Sequence, residues 1–190
     1  MLDRLPLSAY AALAKFKDLD FARFDGPQGD GADDARLSAF AKIGFPGLRS
    51  VTLENCPDVT DAGIIELATL PALESLILSK TGLGDKGCET LAAHPHLRSV
   101  LLEECPNVTA HGITALVRSP SLQRIAFSSR GLTEAELLQI ITESRQLKKC
   151  YIHDANGGLQ PAAILNAGRA KGIKVEVYAK SGMLGISDPE

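Results

Sequence analysis

Segments 48–67 and 97–116 read LRSVTLENCPDVTDAGIIEL and LRSVLLEECPNVTAHGITAL and agree at 13 of 20 positions. Internal repetition constrains the fold more than any single residue: one supersecondary unit must be stacked on copies of itself, each covering its neighbour's apolar face. Function then belongs to the surface that the stack creates.

With L-x-x-L-x-L as a register mark, five units stand out: Leu48/Val51/Leu53, Leu73/Leu76/Leu78, Leu97/Val100/Leu102, Leu122/Ile125/Phe127 and Leu147/Cys150/Ile152. Their first leucines are 25, 24, 25 and 25 residues apart. A second apolar cluster follows each mark, as in Val59, Ile64 and Leu67 or Leu132, Leu137 and Ile140. Steps of three and four define one face of a helix, whereas the alternation before them defines a strand. Each repeat is therefore a short strand, a turn and a helix that returns to the next strand.

The same register organises the rest of the chain. Residues 19–47 form a degenerate repeat, opened by Leu19/Ala22/Phe24 and stretched to 29 residues by the insertion DGPQGDGADD. Residues 1–18 supply a half repeat or capping helix, with Leu5, Tyr10, Leu13 and Ala14 in helix slots. Five repeats occupy 48–172, a terminal strand carried by Ile173, Val175 and Val177 closes the array at 173–178, and 179–190 is expected to be a flexible tail. Residues 1–178 make a single domain, because one repeat cannot bury enough apolar surface alone and must borrow core from its neighbours.

Leu48 to Ala68, with Cys56, Val59-Thr60-Asp61 and Gly63, and its copy at Leu97 to Leu116 follow L-x-x-L-x-L-x-x-C-x-x-[IV]-T-D-x-G-[IL]-x-x-L-A. This pattern resembles the leucine-rich repeat family, specifically the cysteine-containing subclass attached to F-box segments in receptors. The resemblance implies an α/β fold: a right-handed horseshoe arc of about six to seven repeats, with parallel strands on the concave side and helices on the convex side. It also implies a non-enzymatic protein-binding module, such as a substrate receptor or adaptor. Only Cys56 and Cys105 fill the cysteine slot, which Thr81, Arg130 and Ala155 occupy elsewhere. Turns following Leu78 and Phe127 are one residue shorter and contain Gly82 and Gly131, which suggests a corner needing positive φ.

Composition narrows the partner. A net charge of -3 without clustered Lys and Arg argues against nucleic acid. No apolar run approaches the ~20 residues of a membrane-spanning helix, so a protein partner, a cytoplasmic location and a monomer are the expectations. The four cysteines, Cys56, Cys88, Cys105 and Cys150, fall on recurring slots and are expected to be free, buried thiols. No cofactor is implied, and no C-x2-C or histidine cluster completes a metal site.

In the strand mark the leucines face the core, so the third, fifth and seventh positions face the groove. The fifth column reads Arg23, Thr52, Ile77, Leu101, Ala126, Tyr151, Lys174 and is apolar in its middle. The third reads Phe21, Ser50, Ser75, Ser99, Arg124, Lys149, and the seventh Asp25, Glu54, Ser79, Glu103, Ser128, His153. An apolar stripe rimmed by charge is the anatomy of a protein interface, although β-propensity on a half-exposed sheet produces similar columns. The partner-binding candidates are therefore Thr52, Glu54, Ile77, Ser79, Leu101, Glu103, Arg124, Ala126, Lys149, Tyr151 and His153. An alternative is hydrolase-like or metal-dependent chemistry from His153 and Asp154 near Tyr151, or a metal held at His94-Pro95-His96, although neither has a partnered nucleophile or third ligand.

Overall fold

A computed structural model of the chain describes residues 12–16, 18–26, 32–155, 157–179 and 182–187. Strand and helix alternate along it: β1 (Phe21–Asp25), α1 (Asp34–Ala41), β2 (Ser50–Glu54), α2 (Asp61–Leu67), β3 (Ser75–Ser79), α3 (Asp85–Ala92), β4 (Ser99–Glu103) and α4 (Ala110–Val117). Then follow β5 (Arg124–Ser128), α5 (Glu134–Glu143), β6 (Lys149–Asp154), α6 (Ala162–Ala170), β7 (Lys174–Ala179) and β8 (Gly182–Ser187). The strands form one sheet in chain order, parallel from β1 to β7. Helices cover one face and leave the other bare.

Each rung contributes the same side chains to the core. Val51, Leu76, Val100, Ile125, Cys150 and Val175 pair in register and are buried, as are the leading leucines Leu48, Leu73, Leu97, Leu122 and Leu147. At the N-terminal end aromatic rings fill the row: Phe40 meets Phe24 edge-on at 5.2 Å and Phe45 at 4.7 Å.

Helix starts are closed by the rung before them. Thr60 and Thr109 cap α2 and α4 with their own hydroxyls, as Thr-led turns should. The acidic residue at the first helical position, however, serves the next repeat. Asp34 accepts from the N–H groups of Thr60 (2.8 Å) and Gly63 (2.9 Å), Asp61 from those of Gly84 (2.7 Å) and Gly87 (3.0 Å), and Asp85 from those of Thr109 (2.8 Å) and Gly112 (3.1 Å). This explains the recurring glycine: a Cβ on Gly63, Gly87 or Gly112 would stand 2.4–2.7 Å from the incoming carboxylate oxygen. In α4 the carboxylate position is occupied by Ala110, and the matching glycine position in α5 is Glu136, which instead forms a capping box with Thr133.

Several expectations need correction. The tail is not wholly flexible, because β8 pairs antiparallel with β7 and covers its edge. The terminal strand runs Lys174–Ala179, and its register sets Lys174 beside Lys149 and Glu176 beside Tyr151. Lys174 thus belongs to the third column and Glu176 ends the fifth; Ile173 precedes the strand and does not mark it. Gly131 has φ +76°, as a tight corner requires, but Gly82 does not adopt positive φ; its Cβ would lie 2.7 Å from the Pro57 carbonyl of the preceding turn. Left-handed backbone falls instead on Asn55, Lys80 and Glu104, directly after β2, β3 and β4. The proposed first helix lies largely outside the described residues, as do Leu5, Tyr10 and the middle of the insertion; a single helical turn spans 12–15.

Candidate binding surface

Register converts the three columns into rows one strand spacing apart, about 4.8 Å. Arg23, Thr52, Ile77, Leu101, Ala126, Tyr151 and Glu176 are consecutive partners across seven strands. Ile77, Leu101, Ala126 and Tyr151 are half-buried, so the apolar stripe exists on the bare face. Thr52 does not offer itself to a partner: flanked in its row by the longer Arg23 and Ile77, it is only 4% exposed.

Charges flank the stripe unevenly. At the strand ends Arg23 binds Glu54 at 2.6 Å and Asp25 at 3.3 Å, and Asn55 adds a bond to Asp25, so the acidic edge is compensated near β1 and β2. Glu103 is exposed and has no ion pair among the described residues, while Glu104 has only Lys80 at 4.0 Å. At the strand starts Arg124 and Lys149 sit side by side, exposed and likewise without an ion pair among the described residues. Lys174 continues that row but is held by Glu176 at 3.2 Å. Glu176 also accepts from the Tyr178 hydroxyl, a bond that lowers the carboxyl pKa and raises that of the phenol.

Between β4 and β5 the surface opens into a cleft of about 980 Å³, bordered by Leu101, Glu103, Cys105, Ser128, Tyr151 and His153. Ladder pairing stops there at Leu101 and Ala126, whereas β3 and β4 pair through to Ser79 and Glu103. The backbone shows why. The residue just past a strand normally donates to the carbonyl of the residue paired with that strand's end: Gly26 to Glu54 (3.0 Å), Asn55 to Ser79 (3.0 Å), Lys80 to Glu103 (2.9 Å) and Ser129 to His153 (2.9 Å). Among the described residues no such bond joins Glu104 to Ser128. Beyond the gap Ser129 and its equivalent in the next rung, Asp154, turn inward: both are 3% exposed, and the Ser129 hydroxyl donates to the Asp154 carboxylate at 3.4 Å. The one-residue shortening of the turn from β4 to β5 does not announce the cleft, since the same shortening from β2 to β3 leaves those strands paired through to Glu54 and Ser79. Its one sequence trace is the switch from Asn, Lys and Glu to Ser and Asp at the post-strand position.

The sites considered for catalysis come apart. Successive strand residues face opposite ways, so His153 is exposed while Asp154 is buried, its carboxylate accepting from the N–H groups of Gly157 (3.0 Å) and Leu159 (3.1 Å). Asp154 shapes a loop and does not pair with His153. Both ring nitrogens of buried His94 are engaged, Nε2 with the Leu70 carbonyl at 3.0 Å and Nδ1 with the His96 N–H at 3.3 Å. Among the described residues no cluster of three metal-ligating side chains occurs, and no helix is long and apolar enough to cross a membrane.

The four cysteines form no disulfide among the described residues, and Cys56, Cys88 and Cys150 are buried; Cys105 departs from expectation by being only half-buried at the cleft. Burial pushes up the thiol pKa of Cys88, Cys105 and Cys150, so these remain protonated thiols. Cys56 and Cys105 occupy equivalent places, each Sγ directed at a carbonyl of the preceding strand, Phe24 at 4.0 Å and Leu78 at 3.5 Å.

Rungs of one strand and one helix, in register leucine over leucine with all helices on one face, decide the architecture. The fold is a leucine-rich-repeat solenoid. No family model and no curated protein matches the chain. Among solved structures it is similar to the tropomodulin C-terminal domain of Caenorhabditis elegans, with 15% identity, a TM-score of 0.42 and coverage of 86% of this chain and 91% of that one. It is also similar to a chain from the Rad7 and Elc1 complex in yeast, with 19% identity, a TM-score of 0.48 and coverage of 88% of this chain. This solenoid spans about half (51%) of that yeast chain. Both are likenesses of fold, and the assignment rests on the rungs themselves.

Proposed function

We propose that this solenoid is a non-enzymatic protein-recognition module that holds its partner on the bare sheet face across β3 to β6. The observation that carries this reading is the in-register row of Ile77, Leu101, Ala126 and Tyr151, half-buried and apolar, between Arg124 and Lys149 on one side and Glu103 on the other. Apolar anchors supply affinity when desolvated, and opposite charges on the two rims fix a partner's orientation. Glu54, Ser79 and His153 extend the contact along the strand ends. The equivalent placement of Cys56 and Cys105 supports a cysteine-containing subclass, and with it an adaptor or receptor role in the cytoplasm as a monomer.

An Ile77→Asp/Leu101→Asp variant tests the reading. Both positions are half-buried on the surface, so the fold should survive, as circular dichroism would verify. Affinity capture with intact protein is expected to retain a partner that the variant loses. Unchanged capture of the same partner would move the site to a loop, an end or the helical side.

A further inference from the structure

We propose that the cleft between β4 and β5 is an anchor site for an extended peptide segment of the partner, taking one apolar side chain of that segment with a basic residue beside it toward Glu103. This rests on the recognition role proposed above and adds to it a defined pocket and a sequence preference.

Three independent observations converge there. The first concerns the main chain. Four rung junctions carry a bond from the post-strand N–H to the paired carbonyl of the neighbouring strand at 2.9–3.0 Å, and among the described residues the junction of Glu104 and Ser128 lacks it. A donor and an acceptor of the ladder are thus left without their mutual partner, and a peptide group of a bound segment can hydrogen-bond with them.

The second concerns the floor. Leu102 and Phe127, which lie on the two sides of the gap, are 5% and 3% exposed, whereas Leu53, Leu78, Ile152 and Val177 at the same position are 0% exposed. The cleft therefore reaches the core row itself. An aliphatic or aromatic side chain entering it removes apolar surface from water on both sides of the contact.

The third concerns charge. On the β4 side stands Glu103, exposed and without an ion pair among the described residues, next to Glu104; Arg130 and His153 border the cleft on the β5 and β6 side. A segment reading basic, apolar, acidic across the gap meets opposite charge at each flank. Phosphate-bearing ligands are disfavoured by the two carboxylates. Thiol chemistry is disfavoured too, since Cys105 is protonated and donates to neighbouring carbonyls at 3.5 Å.

The test uses the whole chain and a phage-displayed library of random heptapeptides. Selection on intact protein is expected to enrich peptides with one aliphatic or aromatic residue flanked by Lys or Arg on one side. Their affinity should fall at least tenfold with Ala126→Trp, which places an indole at the cleft mouth. Repeating the selection on Glu103→Lys is expected to replace the basic flank by Asp or Glu, a reversal that a purely structural role for Glu103 would not produce. Peptides indifferent to Glu103→Lys and Ala126→Trp but lost on Ile77→Asp would overturn the cleft and leave the sheet-face reading standing. Peptides indifferent to all three, or none enriched, would overturn the cleft, while the sheet-face reading stands or falls on the capture experiment with Ile77→Asp/Leu101→Asp.

Discussion

From α1 to α4 a carboxylate of one rung closes the helix start of the next, whereas the start of α5 is closed from within its own helix. Asp34, Asp61 and Asp85 each reach forward into the next helix start. Thr133 and Glu136 complete the start of α5 within the same helix, and α6 begins at Pro161 without a side-chain cap bond. The strand-end ladder breaks between the same two rungs, at Glu104 and Ser128. Two bonding systems, the main-chain ladder at the strand ends and the carboxylate bonds at the helix starts, therefore change at one boundary. Continuity of the leucine rows does not ensure continuity of the polar bonds, and the interruption is where the sheet admits a cleft. What still joins the helices there is the N–H of Arg145 on the Val117 carbonyl (3.0 Å) and the Arg118–Glu143 ion pair (2.6 Å).

The contrast is open to direct attack. Asp85→Ala strips the acceptor from Thr109 and from the buried N–H of Gly112, a loss of about 3 kcal/mol by urea unfolding. Glu136→Ala, which removes only a local, exposed cap, should cost distinctly less; equal losses would erase the distinction between the two regions. Gly112→Ala drives a methyl to 2.4 Å from the Asp85 carboxylate and is expected to cost about 2 kcal/mol. The same change at Gly131, where only positive φ is at stake and nothing lies within 4 Å, should cost about 1 kcal/mol.

Extending the forward bond past the boundary sharpens the comparison further. Ala110→Asp combined with Glu136→Gly recreates the arrangement of the earlier rungs, and a double-mutant cycle should show favourable coupling of about 1 kcal/mol; additive effects would mean that α5 sits too far from α4 to be reached. Amide exchange at Glu104 should be at least about tenfold faster than at Asn55 and Lys80, whose N–H groups are bonded. The smallest effect concerns pH. The Thr133 backbone N–H, then its hydroxyl, lowers the Glu136 pKa below its ordinary 4.5. Its stabilisation is therefore fully present above that value and lost as pH falls through the lower folded value, and following the Thr133 amide signal from pH 6 to 3 in wild type and Glu136→Gln would reveal it.

Leucine spacing made the rungs, their order and their core legible, because burial on one face of a strand and one face of a helix leaves a periodic trace. The three surface columns were legible for the same reason, up to the last strand. There the alternation of Ile173, Val175 and Val177 fits two registers, and only pairing with β6 shows that Glu176, not Lys174, follows Tyr151. Thr52 looked available because periodicity reports direction and not the height of its neighbours. Asp61 stands out as part of the repeated motif, but a single repeat cannot reveal that the amides its carboxylate accepts from belong to the next one. The β8 pairing and the cleft left almost no trace, since both depend on main-chain bonds that any side chain can make or omit.

Because each carboxylate is emitted by one unit and received by a glycine in the following one, the units between α1 and α4 behave as modular cassettes with a plug at one end and a socket at the other. A copy of the unit carrying Asp61 and Gly63 can be spliced behind any of the first three without leaving an open helix start. The α5 unit, carrying Glu136 in place of the socket, cannot seat there. Lengthening of the solenoid by engineered insertion is thereby confined to its N-terminal half.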